Sequence, residues 1–281
     1  MAVLRRKFSE NAMCRIVARK NFKRRRGIAS VEDLKNLPQQ EIDNIHFLMG
    51  HMSFGIHKAF SAPCDYVTLL RNPVSRVISQ YYYLTMNPTH EDHKFVKDMS
   101  LEEYAASNMS SVNNFQVRLL SAEHEFSSVE SFELPANALE VAKKNLKEHF
   151  RVVGVVERFA ETLFMVKHFF NFGNVYYGRR HDHPDSPQRL PDHKIPLATR
   201  HLIEHNNQLD LALYSYANEL LDESIKKYGN SFDKDFARFN RINGFLQYAH
   251  AIEWMEDAGN IIKKTRKLAK RFTNKFFISV I

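Results

Sequence analysis

Arg71 and Ser79 lie eight residues apart in the segment YVTLLRNPVSRVISQYYY, which runs from Tyr66 to Tyr83. A guanidinium offers a planar fork of donors to a phosphate or sulfate group, and a hydroxyl adds one more donor. Arg76 lies between them on a neighbouring helical face and brings a second positive charge. The spacing predicts an anion site formed by Arg71 and Ser79. From the residues alone, a buried arginine that only fixes a turn is the alternative.

Such a site requires a strand that ends at Arg71 and a helix that begins directly after it. Residues 66–70 are uncharged and rich in β-branched and aromatic side chains, which favours a buried strand. Pro73 suits the first turn of a helix, and apolar residues recur at helical spacing from Val74 to Leu84. We expect the free N–H groups and the dipole of that first turn to add to anion binding.

Other segments predict the surrounding elements. Buried strands are expected at 45–50, which leads to His51, and at 151–157. Strand, tight turn and helix in succession indicate a parallel α/β sheet, in which ligands bind at the carboxyl ends of the strands. Further helices are expected around Met13, Ile16 and Val17, after Ser100 (a capping box with Glu103), and at 136–149, 159–170, 196–228, 232–257 and 260–277.

The block RxPxxRxxS, formed by Arg71, Pro73, Arg76 and Ser79, resembles the 3′-phosphate-binding motif of sulfotransferases. Three more blocks extend the resemblance over roughly residues 40–228. MGHMSFG at 49–55 resembles the GH segment of the carbohydrate branch related to heparan sulfate 2-O-sulfotransferase. NFQVRLLS at 114–121 is similar to the NxQTRxLxG block of bacterial members. FRVVGVVERF at 150–159 is similar to the VGxTExF strand of the same bacterial members.

The resemblance implies a three-layer parallel sheet of the P-loop or sulfotransferase type and transfer of a sulfuryl group from 3′-phosphoadenosine 5′-phosphosulfate (PAPS) to a carbohydrate-like hydroxyl. His51 matches the histidine that takes the acceptor's proton. PAPS is the only cofactor implied, as a co-substrate, and no metal is expected. The alternative is a catalytically inactive relative that binds only the nucleotide or a partner. The residues that the resemblance assigns to the nucleotide are Arg71, Ser79, Arg76, Gln116 and Arg118.

The 5′-phosphosulfate loop of that family, PKTxGTT, has no good counterpart in this chain. Placed before the segment MCRIVARKNF, it falls on residues 6–12, where it keeps the lysine as Lys7 and loses the proline, the glycine and both threonines. Glu10 then stands where an anion should bind, which is repulsive. We therefore expect this loop to be missing or degraded, with Lys7 as the candidate for stabilising the leaving oxygen.

Composition limits the remaining functions. The chain has 281 residues and a net charge of +8, 44% hydrophobic and 26% charged residues, as in an ordinary globular protein. Residues 1–26 and 263–281 are strongly basic. Because the whole chain has a net charge of only +8, the body between them, residues 27–262, is acidic overall. An acidic body argues against a nucleic-acid-binding domain. The two cysteines, Cys14 and Cys64, form no disulfide framework.

Two surface segments remain open to interpretation. One segment contains side chains of the types that bind metal ions, namely His181, Asp182, His183 and His193. They lie in a proline-rich loop, which favours a role in binding the acceptor. The segment 260–277 is basic and amphipathic, so it can lie on an anionic membrane surface or dock on the domain. We expect a sulfotransferase-like domain over 1–228 with a helical extension over 229–281, in the cytoplasm, with peripheral membrane contact through 260–277 as an alternative.

Overall fold

The structure is a computed structural model that describes residues 13–16, 27–28, 34, 36–50, 52–121, 133–172, 177, 194–253 and 275–280. These residues form a mixed α/β protein with parallel strands. The strands are β1 Met13–Ile16, β2 Gly27–Ile28, β3 Phe47–Gly50, β4 Cys64–Leu70, β5 Phe150–Val155 and β6 Lys275–Val280. The α-helices are α1 Gln39–Asp43, α2 Pro73–Thr85, α3 His93–Val96, α4 Leu101–Ala106, α5 Phe115–Ser121, α6 Ala138–His149, α7 Phe159–Phe169, α8 Leu197–Asn206, α9 Gln208–Tyr228 and α10 Phe232–Glu253.

The six strands pair in the order β2-β1-β3-β6-β4-β5, and every pair is parallel. Gly50 at the end of β3 is level with Ser279 of β6, and Leu70 at the end of β4 is level with Val155 of β5. The carboxyl ends of these four strands therefore meet at one edge of the sheet. Ligands of parallel α/β sheets bind at such an edge.

The strand β6 lies inside the sheet, between β3 and β4, although it comes after every other described element in the sequence. The predicted helix over 260–277 is therefore wrong for 275–277, which are extended and paired; 260–274 lie outside the described residues. The segment KFFISV is rich in aromatic and β-branched residues, which fit a pleated strand. The expected helical extension thus supplies the helix α10 and also a strand of the main sheet.

The prediction of a helix around residues 13–17 is also wrong where the structure describes it. Met13–Ile16 form β1, which pairs with β3 on one side and with β2 on the other. So few apolar residues cannot distinguish a helix from a strand by their spacing. Pairing with neighbouring strands, which is not local in sequence, decides the conformation.

The other predicted elements described by the structure agree with the sequence within a few residues. The strands β3 and β5 lie within the predicted segments, except that β5 starts one residue earlier, and β4 begins two residues earlier. The capping box at Ser100 is present, with Glu103 bonded back to the Ser100 backbone. The helix expected at 196–228 is divided into α8 and α9 at Asn207, whose side-chain amide donates to the carbonyls of Ile203 and Val112.

Among the residues that the structure describes, buried apolar side chains form three clusters. The largest joins β4 and β5 to α5, α6, α7, α9 and α10, and a second lies around β3 and the segment 52–60. The third joins α2, α3, α4 and α8 through residues such as Val77, Tyr104 and Ile203. This third cluster anchors α2, whose first turn lies at the carboxyl edge of the sheet. Among the described residues, no helix is both long and apolar enough to cross a bilayer.

We expect Ile278→Pro to destabilise the fold strongly, because Ile278 pairs with both Met49 and Val67. Proline in a central strand removes a ladder hydrogen bond, and we expect a loss of about 3 kcal/mol or more in the free energy of unfolding, measured with urea. Lys275→Pro is the matched control, since Lys275 begins the strand. Equal losses in both variants would contradict the central position of β6.

Candidate functional site

Arg71 stands directly after β4, at the carboxyl edge of the sheet, and is partly exposed. Its backbone N–H donates to Oε1 of Gln116 at 2.8 Å, and its carbonyl accepts from Nε2 of Gln116 at 2.9 Å. One buried amide therefore satisfies both polar groups of the Arg71 backbone. This pair of bonds fixes the point from which the guanidinium extends.

The helix α2 begins with a capped first turn. Asn72 accepts the N–H groups of Val74 and Ser75 on its side-chain oxygen, at 3.1 and 3.2 Å, and Pro73 has no N–H to offer. The N–H of Arg76 makes the first helical bond, to the carbonyl of Asn72. The expectation that free N–H groups of this turn bind the anion is therefore wrong, because the cap already uses them. Only side chains and the helix dipole remain for that task.

Glu157 connects this turn to the rest of the edge, a role that the sequence did not reveal. Its carboxylate accepts the N–H of Asn72 at 3.0 Å and the hydroxyl of Tyr214 at 3.1 Å. Glu157 follows β5, and Tyr214 lies on α9. The carboxylate thus holds β5, α9 and the start of α2 together, and it also places one negative charge beside the candidate anion site.

Ser79 lies on α2, about 9 Å along the helix axis from Pro73, and is partly buried. Both Arg71 and Ser79 therefore retain exposed surface near the same helix. Convergence of the two side chains on one phosphate stays a prediction.

Arg76 turns into the protein interior. Its guanidinium donates to the carbonyl of Ser111 at 2.6 Å and lies 5.2 Å from the ring centre of Phe115. Burial lowers its pKa, the negative charge of Asp210 opposes that shift, and the nearby charge of Arg71 adds to it. Its Nε is buried and has no acceptor among the described residues. Arg76 therefore contributes positive charge behind the edge and has little exposed surface of its own.

Gln116 and Arg118, which the resemblance assigns to the nucleotide, are both buried. The amide of Gln116 is bonded to the Arg71 backbone and approaches Asp210, so the structure gives it a positioning task. Nε of Arg118 donates to the carbonyl of Asn113 at 2.8 Å. Burial lowers the pKa of Arg118, against the opposing charge of Asp210. Direct contact of Arg118 with a nucleotide stays a prediction.

Asp210 is the buried carboxylate behind this arrangement, and no sequence motif singled it out. Its two oxygens accept the N–H groups of Gln116 and Val117 at 3.0 and 2.8 Å. Burial raises the pKa of this carboxyl, while the charge of Arg76 and the two N–H donors oppose the rise. An apolar residue at 210 would leave those N–H groups without a partner.

His51 and Lys7, the predicted catalytic residues, lie outside the described residues. So do His181, Asp182, His183 and His193. On the two sides of position 51, Gly50 ends β3, and the N–H of Phe54 donates to the carbonyl of Leu119 on α5. Among the described residues, no three His, Cys, Asp or Glu side chains form a group that could hold a metal ion.

A scan against protein-family models finds no match, and neither does a search of curated proteins.

We expect Asn72→Ala to lower the free energy of unfolding by about 1–2 kcal/mol, the usual effect of losing a helix cap. The physical reason is that the N–H groups of Val74 and Ser75 lose their shared acceptor. Asn72→Asp retains that acceptor and should lose less than half as much. Urea unfolding of both variants measures the difference, and an equal loss would show that the cap is not the cause.

Proposed function

We propose that the protein is a PAPS-dependent sulfotransferase that acts on a carbohydrate-like hydroxyl, with a three-layer sheet of that family. The observation that carries the proposal is Arg71, which is fixed by Gln116 at the carboxyl end of β4, partly exposed, and directly followed by the helix that bears Ser79. A strand end, an arginine and a helical serine are the elements that the resemblance requires for the 3′-phosphate.

The local charges support an anion at this position. Arg71 and Arg76 are close enough to affect one another, and a dianionic phosphate would relieve that repulsion. The helix dipole of α2 points its positive end toward the same edge. Glu157 opposes these effects, but both of its oxygens are already bonded, to Asn72 and Tyr214.

In the proposed reaction the acceptor oxygen attacks sulfur in line, and the bond between sulfur and the 5′-phosphate oxygen breaks. His51 takes the proton from the acceptor, and the leaving adenosine 3′,5′-bisphosphate carries the negative charge away. Arg71 and Ser79 hold the 3′-phosphate and thereby position the donor. Lys7 is the candidate that stabilises the leaving oxygen.

Calorimetric titration with adenosine 3′,5′-bisphosphate tests the nucleotide site. We expect Arg71→Ala and Ser79→Ala to weaken binding by about tenfold or more, since each removes a donor to the phosphate. Arg151→Ala is the matched control, because Arg151 lies near the start of β5, where it pairs with Asp65. Binding that survives both site substitutions, or that falls equally in the control, would contradict the assignment.

A transfer assay with labelled PAPS and a panel of glycans tests the catalytic step. We expect His51→Ala to lower kcat by about a hundredfold or more while the Kd of the nucleotide changes little, because a general base acts on the acceptor. Nucleotide binding without any transfer would favour the inactive relative. Equal kcat in the variant and the parent protein would remove His51 as the base.

A further inference from the structure

Two helices cap one another beneath the carboxyl edge. The side chain of Asn114 accepts the N–H groups of Leu209 and Asp210 at 2.9 and 3.1 Å, in the first turn of α9. In return, the carboxylate of Asp210 accepts the N–H groups of Gln116 and Val117, in the first turn of α5. Asn114 has a positive φ of 46°, a conformation that asparagine tolerates better than most residues. The two helix starts are therefore held in one fixed arrangement.

This arrangement continues to the sheet through Gln116. Asp210 fixes the backbone of Gln116, and the side chain of Gln116 bonds both backbone groups of Arg71. Residue 210 and residue 116 are fully buried, so water has little access to the bonds between them. A buried carboxylate whose two oxygens both accept backbone N–H groups leaves little freedom to the residues it holds.

We infer that Asp210 is a positioning residue for the anion site, and that it acts on Arg71 through Gln116. The effect on the Arg71 backbone is independent of any ligand, whereas the effect on nucleotide affinity rests on the proposed function. Asp210 also lies near the guanidinium groups of Arg76 and Arg118, so one carboxylate balances two buried cations behind the partly exposed Arg71. Loss of its charge would leave those cations uncompensated, which also loosens the support of the edge.

Hydrogen exchange of individual amides, measured by NMR without ligand, tests the structural step. Asp210→Asn retains the shape of the side chain but sets an NH₂ group against an N–H donor. We expect exchange of the Arg71 amide to accelerate by about tenfold or more, while Thr68, inside β4, retains its protection. Equal acceleration at both amides would indicate general destabilisation and would overturn the inference, as would an unchanged Arg71 amide.

Gln116→Met provides the second variant, because it removes the two bonds to Arg71 and leaves in place the two bonds that backbone N–H groups of α5 donate to Asp210. It should reproduce the faster exchange of Arg71, and Asp210→Asn added to it should change that exchange less than twofold. If the Asp210 variant does not fold, exchange of the Arg71 amide in Gln116→Met is the deciding measurement. An Arg71 amide that stays protected in this variant would overturn the inference.

Titration with adenosine 3′,5′-bisphosphate tests the link to the site. We expect Asp210→Asn to raise the Kd of this nucleotide by about tenfold in the parent protein, as for other residues that orient a binding group. When Arg71→Ala is already present, the same substitution should raise the Kd by less than about twofold. Asp92→Asn is the matched control, since Asp92 is another fully buried carboxylate, located before α3. This variant should bind the nucleotide with the same Kd as the parent protein. Equal weakening in both backgrounds would overturn the inference, whereas a parent protein that binds no nucleotide would contradict only the proposed function.

Discussion

The two hydrogen bonds between the Gln116 side chain and the Arg71 backbone connect the sheet to the helical part of the protein. They join residues 45 positions apart, and the Gln116 side chain that makes both of them is fully buried. A strand end usually frays because its last backbone groups have no ladder partner. Here a side-chain amide supplies both partners, so β4 keeps its geometry up to the residue that faces the edge.

The charged side chains around this connection differ in how deeply they are buried. Asp210 is fully buried, Arg76 and Arg118 are buried beside it, and Arg71 is partly exposed. Burial acts against the ionised form of each buried group, and their mutual attraction acts in favour of it. Such an arrangement gains little stability over an apolar core, yet it leaves a net positive charge near the edge. Stability alone therefore explains these groups poorly, which supports the anion site that we propose.

Local patterns in the sequence were sufficient for some elements and not for others. The apolar run before Arg71 and the proline after it predicted β4 and α2, because both signals depend on near neighbours. The cap by Asn72 is local as well, and it is the reason why the first turn of α2 offers no free N–H groups. The bonds of Asp210 to Gln116 span 94 positions, and no pattern in a single sequence reveals such a contact.

The errors at the two ends of the chain have the same physical origin. The segments that form β1 and β6 are short and contain only a few apolar residues, so their side-chain spacing is compatible with a helix or a strand. Their conformation is decided by β3 and β4, whose edges they pair with. The strand and the helix that carry Arg71 and Ser79 were thus predictable, while the network that supports Arg71 was not.

The place of β6 inside the sheet has a consequence for biosynthesis. A ribosome delivers this strand after all other described elements, so β3 and β4 leave the exit tunnel before the strand that joins them. Until then, their facing edges expose unpaired N–H and C=O groups, which attract strands from other nascent chains. The interval before β6 emerges is therefore the stage of synthesis at which pairing with a strand of another chain is most favoured.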